Sequence, residues 1–354
     1  MLVSVIIRSK DEADRLKLTL ASLSRQSMPA EVVVVNDGSS DHTSAVIADA
    51  AARFPLQVIN HSTSQDRPAA SNAGARRAKG DVLLFLDGDT LGHPELVERH
   101  AAAHAAGEGL IGRGETFHLR CTRFLQDPEA GTPRPGEEAR VAAMTGAELA
   151  RSCVTRRQVL DDFGAIDRRA SPGVYPGIGP RQLYEIEMDA LHRHPDCPVL
   201  WEAASGSNLS VRRDAFLACG GFDESYNINE QRELGLRMCN AGHRFVPVDG
   251  ARTYHLTHRV GWRDPLRMAH WEQAFYRAHP IPAVKLLVVF WAGLAEAAAM
   301  PDIPRIRSLP ELAAAARGEN GFDCDAAREK VGALLGLPPL APRASGSIPR
   351  PSSI

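Results

Sequence analysis

The sequence lacks most of the features that mark specialised classes of protein. Its 41 basic and 43 acidic side chains leave a net charge of -2, so no basic excess is available to hold a nucleic acid. The six cysteines, Cys121, Cys153, Cys197, Cys219, Cys239 and Cys324, form no CxxC pair and no dense framework. That usage excludes a disulfide scaffold and is expected of reduced thiols in a cytoplasmic protein. The longest apolar stretch, Ala283 to Ala299, contains Lys285 and Glu296 and is short of a membrane span; it reads as a buried or amphipathic helix. No basic region followed by an apolar segment precedes the first strand at Leu2, so secretion through a signal peptide is not expected. No repeat of solenoid period is seen, and the tail after Ala341, PRASGSIPRPSSI, has too little apolar surface to fold.

What is present begins with VLLFLDGDTL, residues 82 to 91, an apolar run that stops at two carboxylates, Asp87 and Asp89. Five apolar residues in a row suit a strand buried on both faces, so the acids belong just beyond its carboxyl end, where open α/β sheets bind ligands. Carboxylate oxygens on a tight turn suit Mg2+ or Mn2+ that also carries phosphate oxygens. A plain Asp-Gly turn is the other reading. The scheme of an apolar strand meeting polar residues and then a helix pattern occurs earlier too. SVIIRS (4 to 9) runs into Lys10-Asp11-Glu12 and a helix over 13 to 24, and EVVVVNDGSSD (31 to 41) into a helix over 43 to 52. LQVINH (56 to 61) is a third strand, with a helix from Arg67 to Lys79. This alternation argues a parallel, doubly wound sheet whose polar strand ends gather on one edge. Asp41 reads as a helix N-cap rather than a ligand contact. At 354 residues the chain can bury one large domain and an appendage.

In order along the chain, SVIIRSKDEADRL, VVVVNDGSSDHT, SNAGARRAKGDVLLFLDGD and SGSNLSVRRDAFLACGGFDES resemble the nucleotide-sugar-dependent glycosyltransferases of the GT-A fold, family two. The resemblance covers roughly residues 1 to 258. It implies an α/β, Rossmann-like mixed sheet flanked by helices, a nucleoside diphosphate sugar donor, an acceptor hydroxyl on a glycan, lipid-linked or small molecule, and a divalent metal, Mn2+ or Mg2+. UDP is the expected donor nucleotide. The expected substrate-binding residues are Arg8, Glu12, Asp37, Arg67, Asn72, Asp87, Ser207 and Asn208. Glu12 and Asp37 hold the nucleoside, and Asp89, with Asp87, the metal-bound diphosphate. A nucleotidyltransferase would share such a sheet but open on a Gly-rich loop followed by Lys, which SVIIRSKDEADRL lacks.

The family places Glu-Asp, with the Asp as general base, where NINEQRELGLRM (227 to 238) has Glu230-Gln231. An amide cannot take a proton at neutral pH. Glu230, Glu233, or a retaining reaction that needs no base here all remain open, and Gln231 is also what a non-catalytic nucleotide-sugar binder would tolerate. Glu230 is equally readable as a first-turn carboxylate favoured by the helix dipole. His255, ahead of His258 in TYHLTHR, is the expected third metal ligand, imidazole being suited to Mn2+; a surface histidine is the alternative. His100 and His104, at i and i+4 with no acid between, read as a solvated helix face.

Between these blocks, residues 113 to 200 carry Arg113, Arg120, Arg123, Arg134, Arg140, Arg151, Arg156 and Arg157 and two Pro/Gly-rich loops, 128 to 138 and 171 to 180. Solvated arginines are the first reading and an acceptor-binding wall the second. Residues 261 to 280 interleave Trp262, Trp271, Phe275 and Tyr276 with Arg263, Arg267 and Arg277. A packed helix with a solvated side is expected; a peripheral membrane contact is the alternative, and a homo-oligomer is compatible with either. The expected organisation is a transferase domain over 1–258 (nucleotide-binding half 1–112, acceptor half 113–258), a helical C-terminal region over 259–340, and a disordered tail over 341–354.

Overall fold

In the computed structural model, residues 1–173, 183–258, 266, 270–295 and 300–340 are described. The expected tail, most of the 171–180 loop, and Trp262, Arg263, Arg267 and Glu296 lie outside the described residues. The chain opens with β1 (Val3–Ser9), α1 (Ala13–Leu23), β2 (Glu31–Asp37), α2 (Thr43–Ala51), β3 (Gln57–His61), α3 (Asp66–Arg77) and β4 (Val82–Asp87). After these come β5 (Thr90–Gly92), α4 (Leu96–Ala106), β6 (Leu110–His118), α5 (Leu183–Arg193), β7 (Leu209–Arg212), α6 (Glu230–Asn240) and β8 (Arg244–His255). Described C-terminal helices are α7 (His270–Ala278), α8 (Leu287–Gly293), α9 (Leu309–Ala316) and α10 (Cys324–Leu335).

The sheet runs β3-β2-β1-β4-β7-β6-β8-β5, with Ser171–Pro172 added to β6. Its first four strands are parallel, as the helix-strand alternation requires, whereas β7 is antiparallel to β4 and β6 and β5 is antiparallel to β8. The result is a mixed sheet. Side chains alternate between its faces: Val3, Val5 and Ile7 pack with Leu16 and Leu20 of α1, while Ile6 joins Ala75 of α3 on the other side. Each such buried aliphatic side chain contributes roughly 1.5–3 kcal/mol.

That second face continues without a break into α5, α6 and the C-terminal helices. Helix α8 is buried over its whole length, as the apolar run from Ala283 predicts. Its Trp291 Nε1 donates to Glu202 Oε1 at 2.7 Å, and burial pushes that carboxyl up to about 8. In α7, Trp271 and Phe275 are buried and Arg277 exposed, in line with a packed helix having a solvated side.

Two expectations are corrected. His100 and His104 are not on a solvated face; they are 0% and 1% exposed. His100 Nδ1 and His104 Nε2 both meet Ser210 Oγ, at 2.7 and 2.9 Å, and His100 Nε2 meets Asn208 Oδ1 at 2.8 Å. Arg113 is not solvated either. Fully buried, it donates to the Ala203 carbonyl at 3.0 Å and faces Glu187 at 3.5 Å. Arg120, Arg123, Arg140, Arg151 and Arg157 are exposed, as the first reading has it. Around them the 120–170 segment is a set of short helices, two opened by capping boxes, Thr145 with Glu148 and Thr155 with Gln158.

Burial brings His100 and His104 down to about 4. With folded values below the unfolded value of about 6.5, the unfolded chain takes up their protons first as pH falls. Stability present above pH 6.5 is therefore lost between pH 6.5 and 4, by at most about 1.4 kcal/mol per pH unit for each histidine. Urea unfolding at stepped pH should show this slope, and His104→Gln should reduce it. An unchanged slope would mean that His104 titrates normally in the fold.

Candidate active site

At the carboxyl edge of the parallel strands, Arg8 on β1 lies in register with Asp87 on β4. Its Nε and Nη2 donate to Asp87 Oδ1 at 2.8 and 2.7 Å, and its Nη1 to Glu230 Oε1 at 3.1 Å. Although burial opposes it, Asp87 and Glu230 hold the Arg8 guanidinium firmly charged. Gln231 Nε2 also donates to Glu230 Oε1, at 3.0 Å, whereas Glu230 Oε2 is buried with no hydrogen-bond partner among the described residues.

Asp89 sits two residues beyond, buried, because β5 returns immediately to pair with the end of β8. A bulge between Val248 and Arg252 resets the register of β8, so that His255 falls opposite Thr90 on one side and His118 on the other. Leu256 N–H then donates to the Asp89 carbonyl at 2.9 Å. This brings His255 Nε2 to 3.2 Å and His258 Nε2 to 2.7 Å from Asp89 Oδ2. Burial works against ionisation of Asp89, yet these two imidazoles hold it well below the usual carboxylate range. Glu12 is pushed the other way, well up, by burial and by the Asp89 and Asp87 carboxylates. The close approach depends on Gly88, where a Cβ would strike Glu12 Oε1 and Ser9.

Asp37, at the end of β2, is gathered by the loop before α3. Its Oδ1 accepts from Gln65 N–H at 2.8 Å and meets His61 Nδ1 at 2.7 Å, and its Oδ2 accepts from Ser64 at 2.6 Å. Burial would raise it, but these donors keep it below the usual carboxylate value. Gly38, with φ +67°, lets that loop approach, since a Cβ there would lie 2.5 Å from Ser64 N. Asp41 Oδ1 accepts from the Thr43 N–H and Oδ2 from the Ala13 N–H, each at 3.0 Å, so it serves the first residues of both α2 and α1.

Together these residues border a cleft of about 390 Å³. Of the residues expected from sequence, Arg8, Glu12, Asp37, Arg67, Asp87, Asp89, Ser207, His255 and His258 line it. Asn72, Asn208 and Glu233 do not line it and are bound elsewhere. Asn72 donates to the Phe222 carbonyl at 2.8 Å and to Glu224 at 2.9 Å, tying α3 to the chain before α6. Asn208 donates to the carbonyls of Glu115 and of Ala251, inside the β8 bulge, at 2.9 and 2.7 Å. Both oxygens of Glu233 accept from Arg237 at 2.7 Å, and His279 meets one at 2.9 Å. Glu230 and Gln231 adjoin the cleft through Arg8 without lining it. None of the eight arginines between 113 and 157 lines it either. Sequence reasoning missed Ser64, Asp66, Thr116, His118, Asn227 and Thr257 on its wall, and Lys10 as a cleft residue, although Lys10 stands in the same polar cluster as Glu12.

A divalent metal suits this donor set. Ligand atoms of Asp89, His255 and His258 all lie within 4.8 Å of one another. Asp87 adds a further carboxylate beside them and Glu12 a carboxyl pushed toward its neutral form, while Lys10, Arg8 and Arg67 supply positive charge on the same wall.

Comparisons with known proteins bear on the family and the fold. Residues 4–115 match the family profile of glycosyl transferase family 2. The chain is 34% identical over 260 residues to an uncharacterized glycosyltransferase, YfnE, of Bacillus subtilis, covering 69% of this chain and 62% of the relative. It is 38% identical over 246 residues to validoxylamine A glucosyltransferase of Streptomyces hygroscopicus, covering 67% and 51%. Thus the chain spans about half to three fifths of the length of these curated relatives. In architecture it resembles S. aureus TarS 1-349 in complex with UDP, with a TM-score of 0.50 and 16% identity over 81% of this chain and 66% of that one. That likeness shows the shared GT-A fold.

Removing Arg8 alone strands a buried carboxylate. Arg8→Met should cost about 3–5 kcal/mol, the usual penalty for breaking a buried ion pair from one side. Urea unfolding of Arg8→Met/Glu230→Gln should recover much of the loss, and a double variant as unstable as the single one would show that the Glu230 charge is not what Arg8 neutralises.

Proposed function

Through residues 4–115 the chain belongs to glycosyl transferase family 2, and from that premise we propose that it moves a sugar from a nucleoside diphosphate, UDP in the first place, to an acceptor hydroxyl. The observation that carries the reading is the cleft at the sheet edge, where the acids of three strand ends, the Asp89–His255–His258 donors and the cations Lys10 and Arg67 share one wall.

Asp37 supports the choice of base. A carboxylate offers about four acceptor positions, and His61, Gln65 and Ser64 take three. The one left suits the single imide N–H of uracil or thymine. Guanine presents two adjacent donors on that edge, and cytosine has an acceptor at N3 with its donor on the exocyclic N4. TarS, of the same fold, is solved with UDP. A small-molecule acceptor is in line with the Streptomyces relative named for validoxylamine A.

Asp89, His255 and His258 would hold the metal; when bound, such an ion supplies positive charge against the diphosphate as it leaves. Lys10 and Arg67 add to that charge, and Arg8 fixes Asp87 and Glu230 relative to each other. In a direct displacement the acceptor oxygen bonds to the anomeric carbon as the bond to the diphosphate breaks. Glu230 Oε2, the oxygen that no described group occupies, is the candidate to take the acceptor proton, which requires that this buried atom be uncovered toward the cleft when the substrates bind. Gln231 cannot take it. The second reading, a weakened homologue that mainly binds nucleotide sugar, is favoured by that amide and by the Arg8 clamp on Glu230.

Thermal melting with UDP, GDP, CDP and dTDP, each with and without Mn2+, tests the donor, since a ligand of the native state raises Tm by mass action. UDP should give the largest rise, and no rise with any nucleotide would sink the proposal. Asp37→Ala should weaken UMP and UDP alike by about 1–3 kcal/mol, the value of a hydrogen bond to a charged group. Glu230→Gln should slow transfer by about 10²- to 10⁴-fold with donor affinity kept. If it is silent while Gln231→Asp gains activity, the second reading takes its place.

A further inference from the structure

Behind Glu230 lies a buried group of charges that the cleft itself does not use. Arg232, two residues further along α6, spreads its guanidinium over three places. Nη1 donates to Asn229 Oδ1 at 3.1 Å, Nη2 to Glu187 Oε1 at 3.0 Å and Nε to the Glu202 carbonyl at 2.7 Å. Its Cζ lies 5.0 Å from the centre of the Trp291 ring. Glu187 of α5 also faces Arg113 of β6, at 3.5 Å, and Arg113 in turn donates to Thr116 on the cleft wall at 3.0 Å.

Asn229 connects this group to Glu230. It precedes α6 with φ +67°, and a residue other than glycine holds that left-handed conformation where its surroundings fix it. Its side chain caps none of the α6 N–H groups; the oxygen goes to Arg232 instead, while the Glu233 N–H donates to the Asn229 carbonyl at 3.0 Å. The direction in which Glu230 leaves the turn therefore depends on Arg232.

Glu202 sets how the charge of Arg232 is shared. Its Oε1 accepts from Trp291 Nε1 of α8 at 2.7 Å and lies 3.3 Å from Arg232 Nε, whereas Oε2 is buried with no partner among the described residues. With a proton on Oε2, Arg232 is left to Asn229 and Glu187. Once ionised, Glu202 competes for it, because between charged partners a buried hydrogen bond outweighs one to a neutral amide. The charged groups facing Glu202 are Arg232 of α6 and Glu187 of α5, with Arg113 of β6 behind Glu187. Burial, against the pull of Arg232, pushes Glu202 up to about 8, so it keeps its proton at pH 7 and gives it up as the solution turns alkaline.

We propose that Arg232 is a positioning residue that aims Glu230 through Asn229, and that Glu202, held by Trp291 of the C-terminal helices, governs it. This role rests on the reading of Glu230 as the group that takes the acceptor proton, but it concerns what fixes that group, and it makes the C-terminal helices part of the catalytic half.

Hydrogen exchange of the full chain, followed by mass spectrometry from pH 6.5 to 9.5 and corrected for the intrinsic effect of pH, tests the coupling. In the wild type the amides over 233–235 should lose about tenfold or more in protection through pH 8, the equivalent of one charged hydrogen bond, while β1 and β2 keep theirs. Glu202→Gln keeps an oxygen for Trp291 and cannot ionise, so the step should vanish. Trp291→Phe keeps a ring over Arg232 but removes a donor that favours the ionised form, and should move the step up by about 0.5–1 pH unit; a merely structural role for Trp291 would leave its pH unmoved. Over the same range kcat for release of UDP from UDP-glucose, with water as acceptor, should fall without a matching change in KM, and Glu202→Gln should lack the fall. Should Glu202→Gln melt early, the wild-type step and its shift in Trp291→Phe decide. Protection that does not change with pH, a step that survives Glu202→Gln, or a kcat that stays flat across the step would overturn the proposal, and UDP release with any of these leaves the transferase reading standing. No UDP release at any pH, with the exchange step following Glu202, would end that reading and leave the coupling of Glu202 to the start of α6.

Discussion

A buried negative charge on Asp89 organises the site. Placing an isolated carboxylate in a protein interior is so costly that it normally takes up a proton, unless opposing charge or hydrogen bonds are supplied. Here the fold supplies them from 166 and 169 residues away, through His255 and His258. The contrast with Glu12 is informative. Both carboxyls are buried in the same cluster, but Glu12 faces Asp87 and Asp89 and is pushed up, while Asp89 faces imidazoles and is held down. Neighbouring acids driven apart in this way are the pattern of a site where charge is to be exchanged with a ligand.

Delivering those imidazoles requires a detour in β8. The bulge between Val248 and Arg252 shifts its register, and a bulge leaves backbone groups outside the ladder that must find other partners. Asn208 supplies one, donating to the Ala251 carbonyl, and its own oxygen is met by His100. A residue expected to touch sugar thus supports the site from behind. His100 and His104, neutral and buried, can do this because an uncharged imbedded imidazole needs only partners, not counter-charge.

How much of this was legible from sequence follows from range. The parallel strands and the acids at their ends are local signals: an apolar run, then Asp or Glu, then a helical period. Glu12, Asp37, Asp87 and Asp89 accordingly line the cleft at the strand ends, as does His255. The two capping boxes at Thr145 and Thr155 were also local, and a search for Thr-x-x-Glu/Gln would have shown helices where only loops and arginines were read. The surroundings of Asn72, Asn208, His100 and Arg113 were not foreseen because the partners named above lie 43 to 152 residues away in the chain. A polar side chain does not announce whether water or a distant carbonyl will satisfy it. His118 carries no motif at all and becomes visible only when β6 is laid against β8.

Helix α6 carries Glu230 and Glu233 one turn apart in unlike surroundings. Arg237 grips both oxygens of Glu233 and itself donates to the Gly221 carbonyl, and His279 closes the arrangement from beyond α7. Arg232 similarly spans Glu187 and the Glu202 carbonyl. These bonds spend the charge of the helix on fixing its position, and burial pushes Glu202 up where the C-terminal helices cover it. A group already holding that many donors gains little by accepting a proton, since protonation would break them. Glu230 differs in one respect only: both of its donors fall on Oε1. Its second oxygen is the one carboxylate oxygen on that helix, among the described residues, that holds no hydrogen bond, so the scaffold behind it does not depend on that atom.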